Sequence, residues 1–263
     1  MTRPSTRPTT VEDTTVIVAG RRLAIRRLTP PEATAHSPAV VLLHEGLGCI
    51  EMWRDFPARL ATALSRPVIL YDRAGHGRSD PTPPRRVDYL HRHALDELPA
   101  VLAATGVERP TLLGHSDGGT IALIYAAHAP VAAVIAEAAH VFVEDAALAG
   151  IRATVERYRH GDLHRRLERH HGPLTAALFS AWADTWLAPW FARWDVRAEL
   201  RGVHAPVLLI QGADDPYATP DHLRATAAAL PGGAETLLVP QVGHAPHSEA
   251  PETVLAAVRR FLD

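Results

Sequence analysis

Gly114-His115-Ser116-Asp117-Gly118 constrains this chain more than any other stretch. The run before it, Pro110-Thr111-Leu112-Leu113, is short and apolar and suits a buried strand. The run after it, from Gly119 to His128, has the Ala/Leu content of a helix. A serine between such a strand and such a helix sits on a strained turn, with its Oγ projecting from the sheet edge. Gly114, Gly118 and Gly119 let the two elements approach closely. The bare pattern also fits a Gly-rich turn with an inert serine, so the flanking elements carry the reading that Ser116 is a nucleophile.

The rest of the chain repeats the alternation. Thr15–Val18 and Leu23–Leu28, around Ala19-Gly20, predict a hairpin, preceded by a disordered Thr/Pro/Arg-rich segment over 1–13. Ala39–Leu43 is an unbroken apolar run, as in a strand covered on both faces, and it ends in His44-Glu45-Gly46-Leu47-Gly48. A helix over 51–65 and a strand over 67–71 follow. Next come a Gly-rich loop from Asp72 to Asp80, a helix over 88–105, the Ser116 unit and a strand over 131–136. Residues 141–203 contain no convincing strand and read as several helices lying over the carboxyl edge of the sheet. Alternation resumes with strands at 205–212 and 236–239 and helices at 220–230 and 251–262. Strands alternating with helices predict an α/β fold with a mostly parallel sheet, covered on both faces.

A chain of 263 residues has room for one large α/β domain with an insertion. The net charge of −2 gives no electrostatic case for nucleic acid or an anionic membrane. Cys49 is the only cysteine, which excludes an intrachain disulfide. There is no apolar signal-peptide region and no apolar run long enough for a bilayer, so a soluble cytoplasmic protein is expected. Sixteen histidines are present, none in a tight metal-binding pattern. His91/His93 and His170-His171 lie in Arg-rich stretches and read as solvated surface. So does the run from Arg157 to His171.

A nucleophilic serine needs a base, and the base needs an orienting acid. Loops at strand ends supply them in a parallel sheet. Gly212-Ala213-Asp214-Asp215-Pro216 and Pro240-Gln241-Val242-Gly243-His244-Ala245-Pro246-His247 are such loops. The resulting order is Ser, Asp, His.

With His44-Glu45-Gly46-Leu47-Gly48, the Asp72–Ser79 loop, Gly114–Gly119 and Gly243-His244, the chain resembles the α/β-hydrolase superfamily over nearly its full length. The resemblance implies the α/β-hydrolase fold: a mostly parallel eight-stranded sheet with helices on both faces and a helical cap. The core would comprise 14–140 and 204–263, and the cap 141–203. It further implies Asp215 as the acid, with Asp214 as the alternative, and His244 as the base, with His247 as the decoy. The oxyanion donors would be the Asp117 N–H and Gly46, with Leu47 as runner-up.

Glu45 and Asp117 depart from the commonest family pattern. Ionised carboxylates beside an oxyanion would oppose its charge. They must turn away, pair with a cation such as Arg73 or His140, or bind a polar substrate group; plain structural loop carboxylates fit equally. Trp182, Trp186, Trp190 and Trp194 recur every four residues, with Pro189 splitting them into two short helices. They either pack the cap or line an aromatic pocket. Glu45, Leu47, His140, Trp186 and Trp190 are the candidate substrate-binding residues.

The expected activity is hydrolysis of a small carboxylic ester or related acyl compound through an acyl-enzyme, with no metal or organic cofactor. A C–C bond hydrolase, an enol-lactonase and a thioesterase share the same triad. A non-catalytic ligand-binding homologue is the rival from another class. The expected partner is a small-molecule substrate, with no nucleic acid and no membrane; a homodimer is left open.

Overall fold

The computed structural model describes residues 8–34, 37–82 and 84–263. Its centre is an eight-stranded sheet in the order β1-β2-β4-β3-β5-β6-β7-β8. The strands are β1 (Thr10–Val18), β2 (Arg21–Thr29), β3 (Val40–Leu43), β4 (Val68–Tyr71), β5 (Thr111–His115), β6 (Ala133–Glu137), β7 (Val207–Gly212) and β8 (Glu235–Val239). β1 and β2 pair antiparallel, β2 joins β4 antiparallel, and every other pairing is parallel. This is the α/β-hydrolase fold that the motifs imply.

Both faces of the sheet are covered, and β3 shows how. Val41 and Leu43 join one apolar cluster, while Val40 and Leu42 join the other. Alternate side chains of a strand point to opposite faces, so an unbroken apolar run is needed where both are buried.

The helices are α1 (Phe56–Leu64), α2 (Tyr89–Arg92), α3 (Leu98–Thr105), α4 (Asp117–His128), α5 (Asp145–His160), α6 (Leu163–His171), α7 (Thr175–Leu187), α8 (Pro220–Ala229), α9 (Pro246–Glu249) and α10 (Pro251–Leu262). The helix expected over 88–105 is interrupted: a π-helical stretch, His93–Glu97, joins α2 to α3. Pro99 lies just beyond it and has no N–H to give to a carbonyl four residues back, which favours a local change of ladder. The helix expected over 51–65 is a 3₁₀ turn, Ile50–Trp53, followed by α1.

One expectation about the start of the chain is corrected. Of the segment expected to be disordered, residues 1–7 lie outside the described residues, whereas 10–13 belong to β1. The register pairs Asp13 with Arg26, and the two side chains form an ion pair at 2.7 Å, giving this polar stretch a partner that its composition hides. Between β6 and β7, α5, α6 and α7 form a helical insertion, with one isolated bridge, Phe142 to Asp195, at its base. Among the described residues, no helix is long and apolar enough to cross a membrane.

Candidate active site

β5 lies in the middle of the sheet between β3 and β6, so the loops that follow these strands meet where it ends. Ser116 follows β5 directly with φ 53° and ψ −117°, an uncommon backbone conformation for any residue but glycine. The chain holds it because strand and helix are jammed together on both sides. A Cβ on Gly118 would stand 2.0 Å from the Leu43 carbonyl oxygen, and one on Gly114 2.1 Å from that of Gly118. The Ser116 N–H donates to the Glu137 carbonyl at 2.8 Å, which ties the turn to β6.

His244 comes from the loop after β8 and Asp215 from the loop after β7. His244 Nδ1 lies 2.8 Å from Asp215 Oδ2 and 2.9 Å from Oδ1. The acid is itself oriented: Gln211 Nε2 donates to Oδ2 at 2.7 Å, and the Tyr217 N–H donates to Oδ1 at 2.8 Å. Burial opposes the charged imidazolium, but the Asp215 carboxylate outweighs it and holds the His244 pKa above the ordinary histidine value of 6.5. Burial likewise disfavours the Asp215 carboxylate, and the hydrogen bond from His244 reverses this and lowers its pKa. With the Nδ1 proton spent on Asp215, Nε2 is the nitrogen left to exchange a proton. Asp214 is exposed. His247 is turned the other way: buried, it bonds Glu137 Oε2 through Nδ1 at 2.7 Å.

Ser116, Asp117, His244, Glu45, Gly46, Leu47, His140 and Trp186 all border one cavity of about 450 Å³, which lies between the sheet edge and the helical insertion. Trp190 does not. It is 52% exposed, because α7 ends at Leu187, before Pro189, and Trp190 falls in the turn beyond and packs edge-on against Phe191. No second helix forms for Trp190 and Trp194. The expectation that Trp190 binds substrate is therefore not met, and Trp182 takes the place beside Trp186 on the cavity wall.

The two unexpected carboxylates are resolved separately. Asp117 Oδ2 accepts from the Tyr89 hydroxyl at 3.1 Å and lies 3.9 Å from Arg73 Nη1 and 4.0 Å from Arg85 Nη1. All of these side chains are buried, so the carboxylate is neutralised under the elbow by two guanidiniums. Arg73 also anchors the neighbouring loop, because its Nη2 donates to the carbonyls of His44 at 3.1 Å and Glu45 at 2.8 Å. His140 is not a cation partner: its Nε2 bonds the Tyr217 carbonyl at 3.0 Å, and burial pushes its pKa down. Glu45 folds back on its own loop and accepts the Leu47 N–H through Oε2 at 2.5 Å. That donor is occupied, which leaves Gly46 and Asp117 as the backbone candidates facing an oxyanion. Burial raises the Glu45 pKa, and the Leu47 bond only partly offsets it.

Several residues that shape the site carry no local signal in the sequence. His171 and His93, expected on the surface, are buried. Burial lowers the His171 pKa, and the neutral ring accepts the Gly77 N–H at Nδ1 and bonds the Leu47 carbonyl through Nε2 at 2.8 Å. The imidazole thereby clamps the Glu45–Leu47 loop from the insertion side. His93 bonds Glu97 across the π-helical stretch at 3.1 Å. His115 Nε2 bonds the His244 carbonyl at 2.7 Å, and Glu249 accepts the N–H groups of Gly243 and Ala245 on either side of His244. Apart from Glu97, four residues from His93, these partners are 90 or more residues away or depend on loop geometry, and periodicity reads neither.

Comparison with known proteins agrees with this fold. A profile of the alpha/beta hydrolase family matches residues 40–258. A 2-succinyl-6-hydroxy-2,4-cyclohexadiene-1-carboxylate synthase of Serratia proteamaculans is 26% identical over 257 residues, 88% of this chain and 95% of that protein. A proline iminopeptidase of Levilactobacillus brevis is 39% identical over 89 residues, which are 33% of this chain and only 28% of that protein. Among solved structures, a proline iminopeptidase of Mycobacterium smegmatis superposes with a TM-score of 0.75 at 26% identity, covering 95% of this chain and 97% of that one. An enol-lactonase of Burkholderia xenovorans LB400 shares the fold at a TM-score of 0.72 and 22% identity, covering 95% of this chain and 98% of that one. This chain, which matches the profile from residue 40 to 258, belongs to the alpha/beta hydrolase family.

Proposed function

We propose that the protein cleaves a small carboxylic ester or related acyl compound through a covalent acyl-enzyme. One observation carries this reading: Ser116 on its strained turn and His244, itself paired with Asp215, border the same cavity. Ser116 Oγ attacks the acyl carbonyl while His244 Nε2 takes the hydroxyl proton. The Gly46 and Asp117 N–H groups hold the oxyanion. His244 then returns the proton to the leaving group, and water releases the acyl group by the same steps in reverse roles. The insertion acts as a cap that excludes water and shapes the acyl site. A serine nucleophile needs no metal for this sequence of steps.

The test is steady-state hydrolysis of p-nitrophenyl esters, with lactones, acyl thioesters and proline p-nitroanilide in the same panel. The ester reading expects turnover of at least one ester, and a fall in kcat of about 10³-fold or more in both Ser116→Ala and His244→Ala. Turnover of proline p-nitroanilide alone would move the protein to the peptidase branch. Retained activity in either variant would remove the proposed mechanism.

A further inference from the structure

The insertion side of the cavity carries two arginines. Arg157 on α5 and Arg166 on α6 both line it, each exposed to solvent, and the side-chain hydrogen bonds of Arg157 go to neutral hydroxyls. Arg157 is nonetheless held in place. Its Nη2 donates to Thr154 Oγ1 at 3.0 Å and to Tyr217 Oη at 3.1 Å. Thr154 gives its own proton to the Gly150 carbonyl at 2.9 Å, so the 2.6 Å contact between the two hydroxyls has Tyr217 as donor. Both Nη2 protons are thus spent on neutral oxygens. Nε and Nη1 keep their protons for another acceptor.

The anchor also fixes where that acceptor would sit. Tyr217 follows Asp215 in the same loop, and its ring lies 4.7 Å from the His244 imidazole, centroid to centroid. The Arg157 guanidinium is therefore one phenol ring away from the base. Ile151, Leu163 and Leu167 of the insertion add apolar wall, and the Trp182 indole lies against Gly46. The cavity reads as a reactive end, a short apolar stretch and a cationic end.

Resting on the acyl-hydrolase reading above, we propose that the natural substrate's acyl group is short and ends in a carboxylate, held by Arg157 with Arg166 beside it. An apolar spacer between two polar ends matches the order of groups along the cavity. A planar carboxylate suits the fork of a guanidinium whose remaining donors face it.

The experiment compares p-nitrophenyl hydrogen glutarate with p-nitrophenyl pentanoate, which share a chain length and differ in the terminal carboxylate. In the wild type, kcat/KM should favour the glutarate ester about tenfold or more, as one charge-assisted contact provides. Arg157→Met should cut that preference about tenfold, and Arg157→Met with Arg166→Met should abolish it. Arg169→Met, an exposed arginine of α6 outside the cavity, controls for net charge and should keep the preference. A wild-type ratio near one, or an unchanged ratio in Arg157→Met, overturns the proposal. Calorimetric binding of glutarate against pentanamide separates this inference from the reading beneath it. If neither ester is cleaved yet glutarate binds and Arg157→Met weakens it about tenfold, the acyl-hydrolase reading falls and the anion site stands. Absent or unaltered glutarate binding removes the anion site whatever the enzyme hydrolyses.

Discussion

At the scale of single residues, His244 and Asp215 set the pH behaviour. His244 must be neutral to accept the serine proton, and its pKa lies above the ordinary 6.5. Activity should therefore rise with pH through a value above 6.5, as kcat/KM measured across the acid limb will show. Stability runs the opposite way: the charged pair stabilises the fold below the ordinary histidine range, and that contribution is lost as pH rises through the folded pKa. Asp215→Asn should lower kcat by about 10⁴-fold through the wrong tautomer. It should also move the acid limb of the surviving activity to lower pH, because burial is then opposed only by the weaker pull of Glu45 and Glu137. A limb that stays in place would show that Asp215 does not govern the imidazole. Gly118 offers a stability test: a Cβ there would meet the Leu43 carbonyl oxygen at 2.0 Å, and backbone cannot step aside. Gly118→Ala should cost about 3 kcal/mol or prevent folding, as read by denaturant unfolding. The loops that carry Ser116, Asp215 and His244 were legible because each follows an apolar run, whereas the choice of Asp215 over Asp214 and of His244 over His247 came from the family resemblance. Gln211, His115 and His171 were not legible, because what they do depends on partners that only the fold brings near.

At the scale of elements, α7 shows why a four-residue spacing misleads. Trp182 and Trp186 share a helix and face the cavity, but Pro189 follows the end of that helix and sends Trp190 into solvent. The periodic stripe was readable; its interruption was readable too, but not which indole falls outside. Trp186 also links the insertion to the elbow: its Nε1 donates to the Tyr89 hydroxyl at 3.1 Å, which in turn donates to Asp117. Trp186→Phe keeps an aromatic ring and deletes that donor. It should cost about 1 kcal/mol of stability and lower kcat on a minimal acetyl ester more than it raises KM, since Asp117 carries a proposed oxyanion donor. Trp182→Ala, by contrast, should shift KM between small and bulky acyl groups, because an indole on the wall contributes mostly uniform binding. Trp190→Ala should leave both kinetic parameters near wild type, and a large change in either would return Trp190 to the site.

At the scale of the whole molecule, the alternation of buried strands with helices was enough to predict a mostly parallel sheet covered on both faces, because such a sheet uses apolar runs without polar interruption; the eight-stranded hydrolase fold came from the family resemblance. The α5 to α7 insertion was visible as a break in that alternation. Its contribution to the site was not, since Arg157, Arg166 and His171 stand in a run whose composition resembles a solvated helix face. Arg157 and Arg166 are indeed exposed, as that composition suggests, while also lining the cavity; His171 is the one that the insertion buries against the Leu47 loop. The proposed function rests on one claim, that Ser116 forms a covalent acyl-enzyme. Intact-mass spectrometry after brief mixing with p-nitrophenyl acetate and acid quenching tests it directly. The expected result is one acetyl adduct, mapped to Ser116, absent from Ser116→Ala and released with time in the wild type. An enzyme that turns over the ester with no adduct, or that carries the adduct undiminished in Ser116→Ala, would contradict it.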